Sequence, residues 1–231
     1  MSETGYSLKE IADFLDAELF GDPSLKIVGI CSLNNPIQDH ITFLSEQKKE
    51  HLIEDTKASA IIVSKEISND VHKNLVQVDD PYLAYAKVTQ LFVNSNEITY
   101  VDDFYSDKTA SISDTAQIGA NAHIGHNSKI GDDVHIGPNV FIGDNCTIQK
   151  NTTIYSNVSL YSDVSLGENC IIHSNSVLGS DGFGFAKSKS KYVKIYQLGG
   201  LLIGNDVEIG AGCCIDRGAI DNTVISNGVK L

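Results

Sequence analysis

Cysteine and histidine are the residues of this sequence that could carry nucleophilic or metal chemistry. The five cysteines are Cys31, Cys146, Cys170, Cys213 and Cys214. They form no Cys-x-x-Cys pair, and the Cys and His spacing of a zinc site is missing. An odd number of cysteines without a secretory signal fits reduced thiols in the cytoplasm. We therefore expect small buried or half-buried thiols and neither a metal nor another cofactor.

Histidine is the side chain best suited to act as a general base near neutral pH. The seven histidines are His40, His51, His72, His123, His126, His135 and His173. The repeat described below stacks His173 on Tyr155, eighteen residues earlier, at one corner. His123 and His135 fall at outward positions, where solvation or subunit contact is favoured over a zinc ion shared between subunits. Surface, corner or subunit-contact roles are therefore predicted for these three histidines.

A six-residue repeat organises the second half of the chain. An aliphatic residue occupies every sixth position: Ile112, Ile118, Ile124, Ile130, Ile136, Ile142, Ile148, Ile154, Leu160, Leu166, Ile172 and Leu178. This period excludes an α-helix, whose apolar period is near 3.6. Asn or Asp follows three positions later in nearly every hexad, and both residues tolerate the positive φ of sharp corners. Three hexads close one coil, so Ile118, Ile136, Ile154 and Ile172 should form one interior stack.

The repeat is interrupted after Leu178 and resumes at Ile203. We predict an inserted loop at residues 179–202. Its Gly-Phe-Gly-Phe stretch at 182–185 is not a phosphate-binding loop, because no strand, turn and helix surround it. A four-residue slip precedes the return of the repeat at Ile225. The coil is predicted over residues 106–231 and is expected to be incomplete at its C-terminal end, because no cap follows the last hexad.

The first hundred residues contain no hexads and predict a small α/β domain. Ser7 and Glu10 form a capping-box pattern before a helix with Leu8, Ile11, Leu15 and Leu19 on one face. The segments 25–31, 59–64 and 75–78 have the apolar patterning of strands. Pro81 begins a second helix, PYLAYAKVTQLF. Residues 94–109 are predicted to be a linker with an entry strand.

Composition excludes several classes of function. The formal net charge of −13 argues against a nucleic-acid partner, because phosphate binding needs clustered Lys and Arg. No apolar run reaches the length of a transmembrane segment. The N-terminus lacks the basic and apolar regions of a secretory signal. We therefore expect a cytoplasmic protein.

Four motifs, and the order of the two domains, resemble the UDP-3-O-(3-hydroxyacyl)glucosamine N-acyltransferases of lipid A synthesis. The motifs are ITF at 41–43, DPYLAYA at 80–86, GSDGFGFA at 179–186, and KIYQLG with the following repeat at 194–231. The last two together are specific, whereas many transferases share the hexad repeat. The resemblance implies a left-handed parallel β-helix, a homotrimer, and an N-terminal domain (residues 1–100) that binds the uridine of a UDP-sugar.

The resemblance also implies a reaction and its site. A 3-hydroxyacyl group would move from acyl carrier protein to the 2-amino group of UDP-3-O-acylglucosamine, with a His as general base and an Asp nearby. The implied substrate-binding residues are Phe43, which would stack on uracil, and Asp181, Phe183 and Phe185. Phe183 and Phe185 either wall an acyl or pantetheine channel or hold the insertion against the β-helix. Asp216 and Arg217 are predicted to form a structural ion pair.

The sequence departs from the family pattern in two places. Glu46–Lys49 stands where the family has an aromatic residue and an amide that contact uracil, which predicts a weakened uridine site. The family's catalytic His motif would follow Leu231, so residues 1–231 are expected to transfer acyl groups far more slowly than the family does. The alternative function is a non-catalytic trimeric β-helix that serves as a scaffold or binding module, or an inactive fragment.

Overall fold

The structure is a computed structural model that describes residues 5–45, 52–68, 73–92 and 103–231. The chain divides into two compact units, Met1–Asn96 and Glu97–Leu231. Among the described residues, no helix has the length and apolar character needed to span a bilayer.

The N-terminal unit is a five-stranded sheet with short helices and a two-stranded ribbon. Its elements are β1 (Tyr6–Ser7), α1 (Leu8–Leu15), β2 (Glu18–Phe20), β3 (Lys26–Ile27), β4 (Gly29–Ile30), β5 (His40–Phe43), α2 (Leu52–Asp55), β6 (Ala60–Ser64), β7 (Asn74–Val78) and α3 (Pro81–Phe92). The sheet order is β2-β7-β6-β5-β4, in which β4 to β7 are parallel and β2 is antiparallel to β7. Strands β1 and β3 form the antiparallel ribbon.

Helix α1 has the predicted start but ends earlier than predicted. The Ser7 hydroxyl accepts a hydrogen bond from the Glu10 amide, and the Glu10 carboxylate accepts one from the Ser7 amide, which confirms the capping box. Asp16 then adopts the left-handed conformation, with φ 52° and ψ 50°, and closes the helix after Leu15. Leu19 consequently lies in β2, and its predicted place on the helix is wrong.

The other N-terminal predictions are confirmed with one exception. Strands β6 and β7 and helix α3 lie where the sequence predicts them. The predicted single strand at 25–31 is wrong, because it splits into β3 and β4 around Val28. Strand β3 pairs with β1, whereas β4 pairs with β5, so the chain changes partner at this point. The predicted linker lies largely outside the described residues.

The second unit is a parallel β-helix with three faces. Face 1 contains Gln117–Ile118, His135–Ile136, Thr153–Ile154, Ile171–Ile172 and Glu208–Ile209. Face 2 contains Tyr105–Ser106, His123–Ile124, Phe141–Ile142, Ser159–Leu160, Val177–Ser180 and Cys214–Asp216. Face 3 contains Ser111–Ile112, Lys129–Ile130, Thr147–Ile148, Val164–Leu166, Leu201–Ile203 and Thr223–Ile225.

The hexad repeat determines both the interior and the corners of this coil. Ile118, Ile136, Ile154 and Ile172 pair in register and are buried, which confirms the predicted stack. The corner residues have positive φ: Asn121, Asn127, Asp133, Asn139, Asn145, Asn151, Asn157, Asp163, Asn169 and Asn175. A Cβ at Gly137 would lie 2.7 Å from the Ser156 nitrogen of the next coil, so only glycine fits there.

The insertion is more ordered than the predicted loop. Strands Phe185–Ser188 and Lys191–Lys194 form an antiparallel hairpin, which we call the inserted hairpin together with its flanks at 181–197. The predicted bounds 179–202 are too wide at both ends, because the first two residues belong to the face 2 strand Val177–Ser180 and the last two to the face 3 strand Leu201–Ile203. Ile203 pairs with Ile225, twenty-two positions later, which accommodates the predicted four-residue slip.

Candidate functional site

Three aromatic side chains meet at one edge of the N-terminal sheet. Phe43 is the last residue of β5, and α3 begins shortly after β7. Because β5 and β7 run parallel to each other in this sheet, their carboxyl ends lie at the same edge, where ligands of such sheets commonly bind. The Phe43 ring stacks on Tyr85 with centroids 4.2 Å apart and planes 17° apart, and Tyr82 lies 6.0 Å from Phe43. We call Phe43, Tyr82 and Tyr85 the aromatic cluster.

The accessible aromatic surface of this cluster belongs mainly to Tyr82. Its side chain is 65% exposed, whereas Phe43 and Tyr85 are half-buried and cover one another. A planar ligand at this edge would therefore contact mainly the Tyr82 ring, because Phe43 stacks on Tyr85 and packs against the core. Phe43 was expected as a substrate-binding residue from the sequence, whereas Tyr82 and Tyr85 were not, although both stand in the DPYLAYA motif. Glu46–Lys49, on which the predicted weakening rests, lies outside the described residues.

The start of α3 is already occupied by a side chain. The Asp80 carboxylate accepts hydrogen bonds from the amides of Tyr82 and Leu83, both at 3.0 Å. Free amides at a helix N-terminus often bind phosphate. Because Asp80 takes two of them and adds negative charge, this helix end does not offer a phosphate site.

The inserted hairpin carries the other predicted site residues. Phe183 is 96% exposed, and its ring centroid lies 5.0 Å from that of Phe185. Phe183 therefore does not hold the insertion against the coil, which removes that alternative for this residue. Asp181 pairs with Lys194 at 2.7 Å, and the Lys194 ammonium lies 5.9 Å from the ring centroids of Phe185 and Tyr196.

Backbone contacts directly after the inserted hairpin hold the chain against the coil instead. The amides of Leu198 and Gly199 donate to the carbonyls of Ala219 and Gly218, at 2.9 and 3.0 Å. These bonds lie beside the predicted Asp216–Arg217 ion pair, which the structure contradicts.

Asp216 and Arg217 each have a different partner. Arg217 pairs with Asp163 at 2.9 Å and donates to the Gly199 carbonyl, whereas Asp216 accepts from the Ser180 hydroxyl at 2.6 Å. Consecutive residues of an extended chain point to opposite sides, so the two cannot readily pair with each other.

His40 lies on β5 of the N-terminal unit, where its Nδ1 is 2.9 Å from the Gln38 carbonyl oxygen. The other described histidines lie on the outside of the coil. His173 stacks on Tyr155 at 5.2 Å, as predicted, and its Nε2 lies 3.0 Å from Glu208 Oε1. His123 is sandwiched between Tyr105 and Phe141 at 4.7 and 4.9 Å. Within the described ranges, no three His, Cys, Asp or Glu side chains converge as metal ligands. These histidines connect successive coils.

The cysteines divide into buried and accessible thiols. Cys31, Cys146 and Cys170 are buried and Cys213 is half-buried, as predicted, whereas Cys214 is exposed. Burial raises the pKa of the Cys146 thiol to about 11. Its sulfur donates to the Tyr161 carbonyl at 3.1 Å. A thiol in this state is neutral at physiological pH and is a poor nucleophile.

Comparison with known proteins connects both units to one family. The family described as UDP-3-O-(3-hydroxymyristoyl) glucosamine N-acyltransferase, LpxD, matches residues 24–91. The bacterial transferase hexapeptide family matches residues 109–144 and 142–180. The coil is thus a left-handed parallel β-helix built from hexapeptide repeats, as predicted.

Two solved structures resemble the chain more remotely. The perosamine N-acetyltransferase of Caulobacter crescentus is 14% identical with a TM-score of 0.44, and the match covers 80% of this chain and 71% of that one. The UDP-N-acetylglucosamine acyltransferase of Francisella novicida is 21% identical with a TM-score of 0.34, and the match covers 57% and 55%.

Curated relatives are much more similar. The UDP-3-O-acylglucosamine N-acyltransferase of Pseudoalteromonas translucida is 52% identical over 97% of this chain and 67% of its own length. Those of Saccharophagus degradans and Acinetobacter baylyi are 47% and 40% identical, over 99% and 97% of this chain and 68% and 64% of their own lengths. The chain thus spans about two thirds of the length of these relatives. With this identity across both units, the chain belongs to the family of UDP-3-O-acylglucosamine N-acyltransferases.

Proposed function

We propose that this protein transfers a 3-hydroxyacyl group from acyl carrier protein to the 2-amino group of UDP-3-O-acylglucosamine, in the cytoplasmic synthesis of lipid A and lipopolysaccharide. The observation that carries this proposal is the 40–52% identity to N-acyltransferases of that name across nearly the whole chain. Because the chain spans about two thirds of their length, the activity, the acyl donor and the partners are proposals.

The reaction requires a base but no cofactor. The amine nitrogen forms an amide bond to the acyl carbonyl, the thioester bond breaks, and the carrier leaves as the thiol. A base must take the proton that the amine loses. The resemblance assigns this role to a His in a motif that residues 1–231 do not contain. No described histidine is therefore proposed as catalytic.

The aromatic cluster is the proposed uracil site. Tyr82 offers an exposed ring, and Phe43 lies beside it at the carboxyl end of a parallel strand. Asp80 accepts hydrogen bonds from the amides at the start of α3, so the groups that bind the diphosphate of the substrate must lie elsewhere. The absence of an aromatic residue at Lys49 supports a weakened site, as the sequence analysis predicts.

The inserted hairpin is the proposed acyl-contact region. Phe183 and Phe185 present neighbouring apolar rings, and Phe183 is almost fully exposed. The ion pair between Asp181 and Lys194 lies beside them and helps to fix their orientation. An acyl or pantetheine chain laid across these rings would remove both from water.

A homotrimer is the proposed assembly. Face 2 carries an outward row of stacked rings formed by Tyr105, His123 and Phe141, of which Tyr105 and Phe141 are exposed. Exposed apolar rows of this kind commonly mark contacts between proteins. Light scattering in solution checks the assembly, and a mass of three chains is expected.

Acyl transfer is tested with the full-length gene product, 3-hydroxyacyl carrier protein and UDP-3-O-acylglucosamine. Mass spectrometry should find an amide-linked 3-hydroxyacyl group on the sugar nucleotide. If no such product forms while the protein is folded and trimeric, the scaffold alternative replaces the enzyme. A product acylated on oxygen would also contradict the proposal.

A further inference from the structure

The inserted hairpin has one face on which aromatic and lysine side chains alternate. The cross-strand pairs Phe185 with Lys194 and Lys187 with Tyr192 place these four residues on the same side of the ribbon. Tyr196 shares this side, because the Lys194 ammonium lies equally close to its ring and to that of Phe185. We call these five residues the basic aromatic face.

The opposite side of the same ribbon has a different composition. The pair Ala186 with Val193 lies there together with Lys191, so the described side chains of this side include one lysine and no aromatic ring. Both sides belong to the same two strands, so residues of the second side provide matched controls for the first.

The basic aromatic face is exposed and positively charged within an acidic chain. The side chains of Tyr192 and Tyr196 are 70% and 71% exposed. Residues 182–205 contain four lysines and no Asp or Glu, whereas the whole chain has a net charge of −13. Lys194 pairs with Asp181, whereas Lys187 lies on this face, Lys189 in the turn between the two strands and Lys191 on the opposite side. Screening in salt confines charge effects to roughly 8 Å, so the local charge decides what can approach.

We propose that the basic aromatic face docks on the surface of an anionic lipid bilayer. Tyrosine has an apolar body and a polar tip, and lysine has a long apolar stem, so both settle at the boundary between lipid and water. Anionic headgroups attract lysine without requiring a fixed geometry.

An acidic protein partner fits this face less well. Lysine is depleted in protein interfaces, where arginine is enriched because its planar group binds carboxylates in two-point geometry. Residues 182–205 contain no arginine.

The proposal rests on the proposed function in one respect. The product of that reaction would carry two acyl chains, and a molecule with two chains partitions stably into a bilayer. Of the two proposed acyl-contact residues, Phe185 belongs to the basic aromatic face, and the Phe183 ring centroid lies 5.0 Å from that of Phe185. Docking there would let the product pass from the protein to lipid without crossing water.

Flotation with lipid vesicles tests the docking directly. The protein should float with vesicles of phosphatidylglycerol and phosphatidylcholine, remain unbound with phosphatidylcholine alone, and be released by high salt. Lys187→Glu should weaken binding about tenfold or more, and Lys191→Glu, on the opposite side, should weaken it clearly less. Equal losses in the two variants would show diffuse charge attraction and would overturn a docking face.

A fluorescence measurement gives a second, independent readout. The chain has no tryptophan, so a single Tyr192→Trp substitution reports only on this face. Its emission should shift to shorter wavelength when anionic vesicles are added, whereas that of Val193→Trp should not shift. A shift in both variants, or in neither, would contradict docking through this face.

Two further outcomes separate this inference from its alternatives. If vesicles do not bind while acidic acyl carrier protein binds and is lost in Lys187→Glu, the face serves a protein partner and the proposal is overturned. Acyl transfer measured without vesicles tests the proposed function separately from the docking proposal. Acyl transfer without vesicle binding would support the proposed function and contradict the docking proposal. Vesicle binding without acyl transfer would support the docking proposal and contradict the proposed function.

Discussion

Ile136 and Ile154 of the coil are fully buried, whereas Tyr192 and Tyr196 of the inserted hairpin are about 70% exposed. Both regions are short strands with alternating side chains, but the coil turns its apolar residues inward and the hairpin turns them outward. Full burial of an isoleucine contributes about 1.5–3 kcal/mol to folding. The coil therefore stabilises the unit, and the hairpin is free to present its side chains to other molecules.

The largest effect that tests this comparison is expected in the interior stack. Ile154→Ala should lower the free energy of unfolding by about 2–5 kcal/mol, because it removes buried contacts and leaves a cavity between two coils. Tyr192→Ala should change it by no more than about 0.5 kcal/mol. Denaturant unfolding measures both. Similar losses in the two variants would show that the hairpin supports the fold.

A smaller effect is expected from the polar groups inside the coil. The buried Thr152 hydroxyl donates to the Gly167 carbonyl at 2.9 Å and accepts from the Cys170 amide at 3.1 Å. Thr152→Val leaves both groups unsatisfied and should cost about 1–3 kcal/mol. Thr153→Val, at the less buried residue that follows Thr152 and begins the strand Thr153–Ile154, is the control and should be nearly neutral. Equal unfolding midpoints for the two variants would argue against this network.

The corner residues should contribute less again. Asn151 has φ 58°, and an L-residue without a short polar side chain is strained in that conformation. Asn151→Ala should therefore lower the free energy of unfolding by about 1 kcal/mol, and Asn151→Gly should lower it less. Thermal unfolding of the Asn151→Ala and Asn151→Gly variants measures both effects. If Gly is the more damaging substitution, the hydrogen bond that the Asn151 side-chain amide donates to Asn169 Oδ1 at 3.3 Å matters more than backbone conformation.

The smallest effect on stability is expected from modification of the exposed Cys214. Alkylation there should change the free energy of unfolding by less than about 0.5 kcal/mol. Cys146 should stay unmodified at pH 8, because burial raises its pKa to about 11 and keeps it protonated. Mass spectrometry after brief labelling identifies the modified residue. Labelling of Cys146 as fast as Cys214 would mean that the coil opens readily.

The coil was predictable from sequence because each hexad repeats the same pattern of an inward aliphatic residue followed by an Asn or Asp corner. The stack of Ile118, Ile136, Ile154 and Ile172 follows from spacing alone, and the corner at Asn151 follows from the residue type. Helix α1 was harder, since its end depends on the conformation of Asp16 rather than on the apolar pattern that continues to Leu19.

Features that depend on distant partners could not be predicted. The strand at 25–31 splits because its two halves pair with different strands, and Arg217 pairs with Asp163, fifty-four positions earlier. The candidate site shows the same limit. Phe43 was found through its motif, whereas its stacking on Tyr85 requires α3 to lie against β5.

A titration with UDP-N-acetylglucosamine tests the functional account most directly. Amide chemical shifts should change around Phe43, Tyr82 and Tyr85, and Tyr82→Ala should weaken binding about 5- to 100-fold, since base stacking on an aromatic ring contributes about 1–3 kcal/mol. Phe14→Ala, at an exposed ring on α1, should leave the affinity unchanged. Shifts confined to the coil, or equal weakening in both variants, would contradict the account.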